Sequence, residues 1–149
     1  MRFKTYPLEA NESLMTFEFI SEGPKGFIRK RVQFQRINRK NMYNLAFGDV
    51  NIVTDDFDDK VVTDNNDSEM VLATVAATVY IFTEKYPSAT IYAKGSTLAR
   101  TRLYRIGISN NLEEISKRFM IHGLLKGIGW AIYEKNKNYS AFLIKIKKQ

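Results

Sequence analysis

Residues 14–50, LMTFEFISEGPKGFIRKRVQFQRINRKNMYNLAFGDV, contain three segments in which apolar and polar side chains alternate. Alternation with a period of two is typical of a strand with one buried face. The segments 14–22, 27–37 and 42–50 are separated by the turn-forming sequences GPKG and NRKN. Three strands joined by such short loops predict an antiparallel meander.

The segment 68–86 carries apolar residues at helical spacing and follows an acid-rich stretch, which favours the N-terminus of a helix. Apolar side chains extend almost around this helix, so it is predicted to be buried on more than one side, with Asn66 or Asp67 as its cap. The remaining patterns indicate a strand at 88–95 and two further helices near 98–119.

The C-terminal part indicates a hairpin, in which residues 128–133 and 139–146 flank the turn-forming sequence EKNKN, and Trp130 is assigned to packing within it. Residues 120–127 supply one more candidate strand. The predicted fold class is therefore α+β: one domain over 1–149, with an antiparallel meander of about five to seven strands on the long helix.

Composition excludes several classes of protein. The chain has 149 residues, no Cys and one His, His122, so disulfides, thiolate metal sites and a Cys nucleophile are ruled out. No apolar run reaches the roughly 18 residues that a membrane helix needs. We expect a soluble, cytoplasmic protein that does not act at a membrane. No catalytic residue, metal ligand set or cofactor motif is predicted, which favours a non-enzymatic protein but leaves activity open.

The net charge of +7 is unevenly distributed. Residues 49–69 hold eight acids and one base, a net of −7, so the rest of the chain carries +14. Residues 25–40 contain seven bases and no acid. The positive electrostatic potential of such a stretch attracts anionic partners, and nucleic acid is the commonest of them. We expect the acidic segment to shield the basic one in the free protein; its acids do not match a calcium-binding loop.

The first candidate site is the basic strand within residues 27–37 and its following turn. Alternate strand residues project at about 6.6 Å intervals, close to the spacing of phosphates on an extended single strand, and Tyr92 is one of several aromatic residues that could stack bases. The predicted phosphate contacts are Arg29, Arg31, Arg36, Arg39 and Lys40. The alternative is a solvated strand whose charges prevent aggregation.

The second candidate is a strand, a glycine turn and a helix N-terminus in the sequence KGSTLARTRLYR, residues 94–105. Free N–H groups and the dipole at a helix start favour an anion. The residues predicted to hold one phosphate are Lys94, Gly95, Ser96, Thr97, Arg100 and Arg102. The glycine spacing fits neither a Walker motif nor a dinucleotide fingerprint, and the alternative is an ordinary helix cap.

The motif KGSTxARTRLYR at 94–105, with W-x₂-Y-x-K-N-x-N-Y-x-A-F-L at 130–143, resembles an uncharacterised bacterial family of similar length. The resemblance covers most of residues 16–147 and implies no activity. A meander followed by a long helix is also similar in topology to the Pur-alpha and Whirly folds, which bind single-stranded nucleic acid.

These observations lead to one functional hypothesis and two alternatives. The hypothesis is a non-enzymatic module that binds single-stranded nucleic acid or another polyanion through the basic strand and the helix-start phosphate site. The alternatives are a small enzyme or sensor for a phosphate ligand at 94–105, and a protein–protein interaction module. Oligomeric state is left open.

Overall fold

The structure is a computed structural model that describes residues 4–37, 40–58, 60–61 and 63–148. The strands are β1 (Glu9–Ala10), β2 (Thr16–Gly23), β3 (Gly26–Arg36), β4 (Met42–Val50), β5 (Phe57–Asp58), β6 (Thr90–Ala93), β7 (Phe119–Leu125), β8 (Gly129–Ile132) and β9 (Phe142–Ile146). The helices are α1 (Ser68–Lys85), α2 (Leu98–Asn110) and α3 (Leu112–Ile115).

The predicted meander is present as β2, β3 and β4, which pair antiparallel. The two-residue turn at Pro24 and Lys25 places Gly23 opposite Gly26, and Gly26 has a φ of +89°, a conformation that L side chains rarely adopt. This turn fixes the register, so that Val32 and Phe34 face the core while Arg29 and Arg31 face the other side.

The α+β class is correct, but the prediction of an antiparallel sheet with about five to seven strands is wrong. The nine described strands form one mixed sheet in the order β1-β2-β3-β4-β6-β9-β7-β8, with β5 paired to β4. The pair β4–β6 is parallel, since α1 connects the two strands as a crossover. The sequence patterns located the seven longer strands, but they predicted neither the two-residue strands β1 and β5 nor the parallel crossover.

The predicted C-terminal hairpin is also wrong. Strand β8 pairs with β7 through a turn at residues 126–128; Gly127 in this turn and Gly129 at the start of β8 both have positive φ. Residues 133–141 then carry the chain back, so that β9 lies between β6 and β7 rather than beside β8. Gly123 permits this path, because a Cβ there would lie 2.2 Å from the ring of Tyr139.

Helix α1 supplies the centre of the core, as predicted. Phe82 is fully buried, and its ring stacks on Phe34 at 4.1 Å and contacts Tyr43 at 5.0 Å between centroids. Burying one such side chain contributes roughly 1.5–3 kcal/mol. Asp67 is the N-cap residue, but its carboxylate makes no capping bond and instead accepts from the hydroxyls of Tyr6 and Ser21.

The core lies on one side of the sheet, where α1, α2 and α3 pack against alternate residues of the strands. No described helix packs on the other side, which we call the outer face. Its side chains come from seven strands. They are Glu18, Ile20, Arg29, Arg31, Gln33, Gln35, Asn44, Tyr92, Met120, His122, Leu124, Trp130, Ile132, Leu143 and Lys145.

Candidate nucleic-acid interface

The predicted basic strand is neutralised by carboxylates on the same face. Glu18 lies opposite Arg31 and accepts from Nε of Arg31 at 2.7 Å and from Nε of Arg29 at 2.8 Å. Asp55, in the acidic segment, lies 2.8 Å from Nη1 of Arg29 and 3.4 Å from Nη2 of Arg31. The hydrogen bond that Arg29 donates to Glu18 raises the pKa of Arg29. A phosphate that binds Arg29 or Arg31 must therefore displace these carboxylates. The position of Asp55 is the one expected of a carboxylate in the acidic segment if that segment shields the basic strand.

The remaining predicted phosphate contacts lie at the end of the same strand. Arg36 ends β3, Lys40 lies in the following turn, and both are exposed. Among the described residues neither has an ion-pair partner. Arg36 lines an open depression together with Asn44 and Tyr92 of the outer face. Arg39 lies outside the described residues.

The predicted phosphate site is a strand-to-helix turn whose donors are largely occupied. Thr97 is the N-cap of α2, and its hydroxyl accepts from the N–H of Arg100 at 3.1 Å. The N–H of Gly95 donates to Oγ1 of Thr101 at 3.0 Å. The other predicted residues are exposed around the turn; they are Lys94, Ser96 and Arg102. A phosphate here stays a prediction, and these contacts do not favour it.

Arg100 does not face the solvent at this turn, because its side chain is directed beneath the sheet. The residue is 4% exposed, its Nη1 donates to the carbonyl oxygen of Phe47, and its guanidinium lies 5.3 Å from the centroid of the Phe47 ring. Phe47 follows the part of β4 that pairs with β6 and precedes the part that pairs with β5. Arg100 therefore satisfies a carbonyl that lies between these two pairings.

The sequence analysis placed Trp130 inside a hairpin, but the structure places it on the outer face. Its ring centroid lies 6.3 Å from that of Tyr92, with the planes at 76°, and Trp130 is 43% exposed. The register aligns Ile132, His122, Leu143, Tyr92, Asn44 and Gln35 in one row across six strands. At about 4.8 Å between strands, the row extends roughly 24 Å.

Apolar and cationic groups surround this aromatic pair. Ile132 is 69% exposed and Met120 is 40% exposed. Lys145 lies opposite Met120 in the β7–β9 register and is exposed. The alternation of apolar and polar residues at 142–146 is visible in the sequence, so the outward direction of Lys145 could be predicted. The contact of Trp130 with Tyr92 could not be predicted, because it depends on the order of the strands in the sheet.

Other kinds of site have less support in the described chain. Within the described residues, no group of three or more His, Asp or Glu side chains is placed to hold a metal ion. The described helices include none with the length and hydropathy that spanning a bilayer requires.

Comparison with known proteins gives a family without an assigned activity. No curated protein and no solved structure matches the chain significantly. Residues 2–147 match a family of unknown function, DUF6934, and this range covers nearly the whole sequence. The chain therefore belongs to the DUF6934 family.

Proposed function

We propose that this protein is a binding module for single-stranded nucleic acid, which it holds on the outer face of the sheet. The observation that carries the proposal is the pair formed by Tyr92 and Trp130, half-exposed on a sheet face that no described helix covers. Proteins that bind single strands without strict sequence preference combine aromatic platforms with a basic groove.

The geometry of the pair suits unpaired bases. A base that stacks on the exposed face of Trp130 contributes about 1–3 kcal/mol, and such stacking tolerates any base. Side-chain amides in the same row, from Gln35 and Asn44, offer donors and acceptors for base edges. A duplex presents no free base faces to such a surface, so the proposal concerns single strands.

Charge supports the same face. Lys145 is two residues along β9 from Leu143, which pairs with Tyr92, while Arg36 and Lys40 lie near the other end of the row, close to Gln35. Arg29 and Arg31 are paired with both Glu18 and Asp55, so a phosphate that binds them must displace these carboxylates. The carboxylate of Asp55 therefore competes with any bound anion for these two arginines. A weakly bound small anion cannot displace this carboxylate, whereas a polyanion can.

Trp130, the single tryptophan of the chain, makes the test direct. Its fluorescence is titrated with a single-stranded oligonucleotide of about 12 nucleotides. We expect saturable quenching and an association constant that falls with salt. Lys145→Gln should reduce the magnitude of the slope of log K against log salt by about 0.7. The matched control Lys117→Gln, an exposed lysine beyond α3, should leave that slope unchanged.

Three results would overturn the proposal. The first is an absence of quenching at low salt. The second is binding that is equally weakened by Lys117→Gln and Lys145→Gln, which would indicate a diffuse charge effect. The third is a change of Trp130 fluorescence with protein concentration alone, accompanied by dimer formation in light scattering, which would show that a second copy covers the outer face.

A further inference from the structure

A second feature of the molecule is a cavity beneath the sheet, on the side opposite the outer face. It has a volume of about 130 Å³ and lies between β3, β4 and the N-terminal parts of α1 and α2. Its wall contains Lys30 and Arg100, one residue from each of the two basic stretches that the sequence analysis singled out. Both cations also lie against the ring of Phe47, at 5.9 and 5.3 Å from its centroid.

Lys30 is fully buried and paired. Its Nζ lies 2.6 Å from Oδ1 of Asp49 and 3.2 Å from the carbonyl oxygen of Thr63. Arg100 differs, because no carboxylate of the described residues lies within ion-pair distance of its guanidinium. A guanidinium carries five N–H donors, and among the described residues only the Phe47 carbonyl accepts from this one.

The carboxylates in the wall have hydrogen-bond donors of their own. Asp67 accepts from the hydroxyls of Tyr6 at 2.6 Å and Ser21 at 2.5 Å, and it occupies the N-cap position, where the helix dipole stabilises a negative charge. Asp64 is exposed, and its Oδ1 accepts from the N–H of Asn66 at 2.9 Å. Arg100 is therefore the cation of the wall that has no carboxylate of the described residues within ion-pair distance, although it is 96% removed from solvent.

A buried charge without a partner is costly, which is why buried guanidinium groups are normally paired. From this we infer that the cavity binds a small oxyanion, a phosphate or carboxylate group, through Arg100. The guanidinium fork suits either oxyanion in a bidentate arrangement. The cavity is larger than the roughly 10–15 Å³ that a single water needs, and smaller than the roughly 300 Å³ of a pocket for a whole nucleotide-sized ligand.

The anion enters from the side of α1. Asp64 and Ser68 line the cavity and are exposed, so the cavity opens to solvent between them. The first N–H groups of α1 have no side-chain cap, and Ser68, the first residue of α1, lines the cavity together with Arg100. Oligonucleotides do not reach this position, because the cavity and the outer face lie on opposite sides of the sheet.

The test uses inorganic phosphate and acetate as separate probes, against chloride at constant ionic strength. The thermal unfolding midpoint of the wild-type chain is expected to rise with at least one oxyanion and to saturate, because a ligand that binds only the folded state stabilises it. Arg100→Met should weaken this binding by about tenfold or more, as expected for loss of a charge-assisted bond. Lys117→Gln, which removes an exposed positive charge outside both predicted anion sites, is the control and should bind normally.

A second measurement avoids variants that fail to fold. In the wild-type protein, the Nε–H resonance of Arg100 is followed by NMR during the same titrations, and it should shift with the bound oxyanion and remain fixed in chloride. A midpoint that depends on ionic strength only, an unmoved Arg100 resonance, or loss of binding in Lys117→Gln would each overturn the inference. Oligonucleotide binding at Trp130 is independent of all these outcomes, so the two proposals can fail separately.

Discussion

Replacing Asp49 by Asn is expected to destabilise the fold strongly, because it leaves the ammonium group of Lys30 buried without a carboxylate. The Lys30 side chain has 0% exposure, and apart from Asp49 its hydrogen-bond acceptor among the described residues is the carbonyl oxygen of Thr63. Removing one partner of a buried ion pair costs about 3–5 kcal/mol. We expect Asp49→Asn to fall in this range, a large part of the roughly 5–15 kcal/mol that stabilises a typical domain.

Replacing the other partner, Lys30, should lower the free energy of unfolding by less, since the two partners are not equally buried. Asp49 is 12% exposed, and its Oδ2 accepts from the N–H of Thr63 at 3.0 Å whether or not Lys30 is present. Lys30→Met is therefore expected to lower the free energy of unfolding by about 1–3 kcal/mol. The double variant Lys30→Met with Asp49→Asn contains no buried charge at this position, so it should be more stable than Asp49→Asn alone.

The measurement is urea-induced unfolding in a chloride buffer at pH 7, followed by circular dichroism and by Trp130 fluorescence. Glu134→Gln is the control, because it removes the carboxylate from an exposed pair with Lys137 and should leave the midpoint unchanged. Two outcomes would refute the reasoning: an Asp49→Asn variant as stable as the control, or a double variant whose loss equals the sum of the single losses.

Three further predictions concern the turn before α2, high pH and the acidic segment. Gly95→Ala should cost about 3 kcal/mol or more in urea unfolding, because its Cβ would lie 2.3 Å from the backbone nitrogen of Thr101, where no flexible group can yield. Burial raises the pKa of Tyr133 above 10.0, so the free energy of unfolding should fall as pH rises beyond 10, and Tyr133→Phe should make this decline shallower in urea titrations at pH 8–11.5. Asp55→Asn should tighten oligonucleotide binding and steepen its salt dependence in the fluorescence titration, since it leaves Glu18 as the one described carboxylate paired with the two strand arginines; unchanged affinity would exclude shielding.

Local signals predicted the elements well. The alternation at 42–50 matches β4, and the helix predicted at 68–86 ends one residue earlier, at Lys85. What they did not predict is which strands become neighbours beyond the meander of β2, β3 and β4. The sequence EKNKN is a good turn, yet it belongs to the connection that takes the chain across β7, because the packing of Tyr139 against Gly123 selects that path.

The two carboxylates that pair with the basic strand also differ in whether the sequence predicts them. The pairing of Glu18 with Arg31 follows from counting back from the Gly23–Gly26 turn, so the sequence contains this partner once the hairpin register is recognised. Asp55 is 24 residues from Arg31, and no local rule connects them. Likewise, a run of bases does not reveal that Arg100 turns inward, since that depends on a carbonyl left open between two strands of the finished sheet.

The position of β9 has a consequence for biosynthesis. This segment is translated after the other described strands, yet it lies between β6 and β7 and pairs with both. Until residues 142–146 leave the ribosome, the described strands form two separate groups, and β6 and β7 each have an unpaired edge. The sheet can therefore be completed only after this segment is synthesised, and before that the two open edges can pair with strands of other molecules.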